Sequence, residues 1–85
     1  MQTNIVPVAV YPSTANVLYI RSITLGPPPS YYYELQNVDA EGVVTVLKNG
    51  NVSMTQEQWD GWSETVDDTE YQLDCISANL GLTRA

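Results

Sequence analysis

Histidine is absent from this sequence of 85 residues, cysteine occurs once and cations number three. Each scarcity closes off a chemistry. Without imidazole there is no Ser-His or Cys-His pair and no commonest general base, and a lone thiol, Cys75, cannot build a thiolate–imidazole zinc cage. Nor can it form an intrachain disulfide, which excludes the disulfide-dense secreted scaffolds and points to a reducing compartment of synthesis. Arg21, Lys48 and Arg84 stand against ten acidic residues, for a formal charge of −7 and a pI near 4.1. So few cations cannot neutralise several phosphates, which argues against nucleic acid and anionic membrane as primary partners. No window reaches the roughly 18 apolar residues of a membrane span. Pro7, Pro12 and Ser13 interrupt the only apolar stretch near Met1, so no signal peptide is expected.

What is present suits one small folded unit. Apolar residues make up 44% of the chain, enough for an interior despite the acidity, and the length leaves no room for a second core. The expected class is α+β: a small antiparallel meander or sandwich-like sheet of about 4–5 strands, then a short helix and a C-terminal helix. Residues 1–16 read as an N-terminal extended arm or edge strand, because Pro7 cannot donate to a ladder, and residues 17–85 as a single α+β domain. In the run from Val17 to Leu25, Val17, Tyr19, Ile23 and Leu25 share one face, while Leu18 and Ile20 crowd the other. Gly26-Pro27-Pro28-Pro29-Ser30 carries the chain on to the next strand.

From Tyr31 onward the alternation is regular, placing Tyr31, Tyr33 and Leu35 on one face and Tyr32, Glu34 and Gln36 on the other. Asp39-Ala40-Glu41-Gly42 predicts a hairpin turn with glycine at positive φ, and Asn49-Gly50 predicts a second, type I′ hairpin. That second turn would set Lys48 opposite Asn51 and gather Val43, Leu47, Val52 and Met54 on a core face. Thr55-Gln56-Glu57-Gln58 is a capping-box pattern. Glu64-Thr65-Val66-Asp67-Asp68 predicts a loop and second N-cap, with a helix from about Thr69 to Leu80 whose stripe is Leu73, Ile76 and Leu80, closed by Gly81-Leu82.

No constellation here demands catalysis. Asp67, Asp68, Glu70 and Asp74 lack the spacing of a calcium loop and suit helix capping. Tyr31, Tyr32 and Tyr33 could form an aromatic platform, but alternation sends two of them to a core, and Trp59 and Trp62 suit a plug between helix and sheet. Neither a cofactor nor a metal is expected. The sheet edges are more telling, since natural sheets guard them with lysine, proline or charge and this chain offers Lys48 alone in its inner runs. A core this small also gains from association.

Gly50-Asn51-Val52-Ser53-Met54-Thr55-Gln56-Glu57-Gln58-Trp59-Asp60-Gly61-Trp62, with Asp67-Asp68-Thr69-Glu70-Tyr71 and Ala78-Asn79-Leu80-Gly81-Leu82, resembles the C-terminal half of small proteins encoded among tailed-bacteriophage virion genes. The resemblance covers roughly residues 31–82. It implies a structural role in a particle assembled in the host cytoplasm, and it carries over no active-site residue. The expectation is therefore a non-enzymatic virion component that contacts other virion proteins and copies of itself through Ile5, Val6, Val8, Val10, Tyr32, Val44 and Val46. The alternative is a small aromatic-rich module that binds glycan or peptide on a phage appendage.

Overall fold

A computed structural model describes residues 1–11, 13–24, 28–62 and 68–85. Four strands, β1 (Gln2–Val10), β2 (Ser13–Thr24), β3 (Ser30–Val38) and β4 (Val44–Ser53), are followed by two helices, α1 (Gln56–Asp60) and α2 (Asp68–Asn79). The strands form one antiparallel sheet in the order β1-β2-β3-β4, an α+β meander. Leu18 pairs with Leu35 and Ile20 with Tyr33, so these four side chains share a face, and Leu73 and Ile76 of α2 join them in the core. Tyr31 fixes the helix to that face through its hydroxyl, which donates to Gln72 Oε1 at 2.6 Å. Burial pushes the Tyr31 phenol up to about 12, because the ionised form would lose its water.

The first strand lies at one edge of the sheet, and Pro7 falls within its register break between Asn4 and Val8. The first hairpin turn after Val38 is the one expected: Gly42 N–H donates to Asp39 O at 3.0 Å and Gly42 has φ 83. The Asn49-Gly50 hairpin does not form. Instead β4 runs straight through that dipeptide, with Gly50 opposite Tyr33, Lys48 opposite Leu35 and Asn51 opposite Tyr32. Folding back at residue 49 would leave much of β3 unpaired, and one unbroken strand satisfies that ladder at the expense of a local turn preference. The predicted core face changes accordingly. Val43 lies exposed at the turn, Leu47 sits beside a register shift and packs partly on the core, and Val52 and Met54 do face inward.

The capping box is present in full: Gln58 N–H donates to Thr55 Oγ1 and Thr55 N–H to Gln58 Oε1. Helix α2 ends in a Schellman motif, in which Leu82 N–H reaches Ser77 O at 2.8 Å and Gly81 N–H reaches Ala78 O at 3.1 Å, with Gly81 at φ 72. The stripe of α2 is Leu73, Cys75, Ile76 and Ser77, with Leu80 half-buried. The tryptophans pack where the two helices meet: Trp62 stacks on Tyr71 at 5.5 Å, and its indole N–H donates to Asp68. The predicted second N-cap at 64–67 and the first part of the proline run lie outside the described residues.

Candidate functional site

The two edges of the sheet are finished differently. After the Schellman turn, residues 83–85 come back along the outer side of β1. Val6 N–H donates to Thr83 O at 2.8 Å, Ala85 N–H donates to Asn4 O at 3.0 Å, and Ile5 bridges Arg84. The Arg84 side chain pins this segment by donating to Thr3 Oγ1 and pairing with Glu70 and Asp74, both at 2.7 Å. These carboxylates hold its guanidinium pKa above the ordinary value.

At the other edge no described strand lies beyond β4. Met54 N–H turns inward to Pro29 O and Val43 O accepts from Asp39 N–H, so the alternation of an antiparallel ladder aims the backbone of Val44, Val46, Asn49 and Asn51 outward. Only the last outward carbonyl, that of Ser53, meets a described partner, the amide of Asn79 at 3.0 Å. Val44 is 53% exposed and Val46 is 45% exposed. Their pairing with Val38 and Gln36 puts both on the face opposite the helices, with Gln36 between Val46 and Val17. The result is a charge-poor strip that offers amides without a partner among the described residues and β-branched side chains together. Its one cation is Lys48, midway along the strand.

The same face becomes polar toward the other end of the sheet. Arg21 lies 5.1 Å above the Tyr32 ring, the Tyr32 hydroxyl donates to Glu34, and Gln36 donates to the same carboxylate. Those two hydrogen bonds hold the Glu34 carboxyl below its usual pKa, and the same Glu34 contact raises that of Tyr32.

The structure therefore separates the seven residues expected to make contacts. Val44 and Val46 stand together on the open edge, and Tyr32 shares their face within its own network. Val6 is exposed at the far edge, with its amide already taken by Thr83. Val8 and Val10 are half-buried against the core. Ile5, at 2% exposure, belongs to the core cluster, while its backbone bridges the segment around Arg84. Nothing in the sequence singles out that segment, since a three-residue strand has no periodicity to read. Among the described residues no group of three or more acids or thiols is placed to hold a metal, and Glu70 and Asp74 are engaged by Arg84. Among the described residues no helix is long and apolar enough to cross a membrane. Comparison with protein families, with curated proteins and with solved structures finds no match.

Proposed function

We propose that this chain is a non-enzymatic assembly component, a structural subunit of a tailed-phage virion that joins copies of itself and other virion proteins by strand-edge contacts. The observation that carries this reading is the open β4 edge, where outward amides and the exposed Val44 and Val46 coincide. Strands with free edges template pairing with another chain, and main-chain hydrogen bonds with flanking apolar side chains are how β-augmentation gains affinity. The phage assignment rests on the resemblance over roughly residues 31–82.

Replacing Val44 and Val46 together with lysine tests it, because both positions are exposed and paired charges on an edge oppose strand addition. Sedimentation velocity across a concentration series should show self-association weakened by at least about tenfold, roughly 1.4 kcal/mol, with the far-UV circular dichroism unchanged. Identical sedimentation of variant and parent would overturn it. A second reading, a module for glycan or peptide, draws on the Arg21–Tyr32–Glu34 network of the same face. It requires a monomer that binds a sugar or peptide array and loses that binding on Tyr32→Ala.

A further inference from the structure

The unequal finish of the two edges has a consequence for how copies can add to one another. Four strands alternating up and down leave β1 antiparallel to β4. Of the sheet extensions that use β4, two keep every pairing antiparallel. In one, β4 meets β4 of a second copy about a twofold axis, which uses up the β4 edge of each and closes at two. In the other, β4 of one copy adds to β1 of the next, a heterologous contact that leaves a fresh edge at either end and continues without closing.

The segment Thr83–Ala85 decides between them. It occupies the backbone of Asn4 and Val6 on the outer side of β1, the groups a neighbour's β4 would need. We infer that this segment is a removable edge guard pinned by Arg84: seated, it limits association to a β4–β4 pair, and withdrawn, it opens β1 to β4 of another copy. The inference rests on the β4 reading above and names the second copy as the occupant of β1.

The physical case is local. The guard meets β1 through two backbone hydrogen bonds, the pair that makes up the Ile5–Arg84 bridge, too few to hold a three-residue segment without a further anchor. Arg84 is that anchor, spanning Thr3 on β1 and Glu70 and Asp74 on α2. The side chains of Glu70 and Asp74 are 58% and 66% exposed. Ion pairs of that kind are weak and screened by salt, which makes the seat reversible. Gly81 at φ 72 turns the chain out of α2 just before the guard, so the guard can leave without unwinding the helix. The register break between Asn4 and Val8 falls where the guard sits, and Val6, whose amide the guard takes, is the exposed valine of that edge.

The test compares the full chain with Arg84→Ala, with a variant ending at Leu82, and with Arg84→Ala combined with Val44→Lys and Val46→Lys. Amide exchange at Val6 and sedimentation velocity are read on each. The inference expects Val6 exchange to accelerate by about tenfold or more in both guard variants. It also expects species larger than a pair to appear in them alone, and to vanish when lysines block β4. Failure of both guard variants to exceed the size of the parent would overturn the guard while leaving β4 pairing intact. A parent that sediments as its lysine-blocked form does would instead sink the β4 reading itself. Cooperative melting of each variant by circular dichroism separates either result from loss of fold.

Discussion

Tyr33 and Gly50 face one another across β3 and β4, and the ring of one lies over the missing side chain of the other. A Cβ at residue 50 would stand 3.1 Å from ring carbon Cε1 and 3.2 Å from the phenol oxygen. Tyr33 is buried in the core, so its ring has little room to give. Gly50→Ala should therefore destabilise the protein by about 1 kcal/mol despite alanine's lower backbone entropy cost. A lowered urea midpoint with an unchanged slope would show it, and an unchanged midpoint would mean the ring shifts freely. The three cations are likewise individually placed. Arg21 lies on Tyr32, Arg84 holds the guard, and Lys48 stands on the open strand where edge protection is otherwise thin.

At the scale of elements, α1 is too short to persist on helix propensity and buries no residue. Its capping box and several hydrogen bonds to α2 hold it, among them the Tyr71 hydroxyl donating to Gln58 O. Gln58 Nε2 donates to Asn79 Oδ1, and Asn79 Nδ2 donates to Ser53 O, tying α1 to α2 and to the end of β4. Thr55→Ala removes the acceptor for Gln58 N–H and should cost about 1 kcal/mol, read as a shift of the chemical denaturation midpoint. Loss of less than a few tenths would show that the ties of Gln58 to α2 position the helix without the cap. The Schellman end of α2 has a further role, because it sends residues 82–85 back toward β1.

For the whole molecule, the radius of gyration of 13.1 Å exceeds the about 12 Å expected of a compact chain this long. The extents of 38 × 23 × 18 Å fit a sheet that outreaches its two helices. Such a shape leaves a face and an edge for neighbours, and the charge of −7 discourages indiscriminate contact. It also makes the fold sensitive to base. The Tyr31 phenol titrates near 12 when folded against its ordinary 10.0, so between those values the folded state keeps a proton that the unfolded state has released. Stability contributed by this group is complete below pH 10 and falls as pH rises toward 12. Thermal melts from pH 9 to 11.5 should show the midpoint dropping mainly above 10, and less so in Tyr31→Phe. Equal declines in the two proteins would assign the effect to other groups.

The sequence by itself determined the class of fold and most of its local devices. Period-two alternation from Tyr31, the Asp39–Gly42 turn, the capping box at Thr55 and the glycine after α2 are short-range, and each depends on residues within a few positions of one another. The exposure of Val44 and Val46 was legible because β-branched side chains on both faces exceed what one core can use. Tertiary structure decided what depends on distant partners. Asn49-Gly50 is a turn by local preference and a strand because β3 needs a full-length neighbour, and Ile5 is core because it joins a cluster with Leu73 and Ile76 of the distant α2. Which edge is open and which is guarded followed the same logic, since an edge is a property of the assembled sheet, and no stretch of sequence carries it alone.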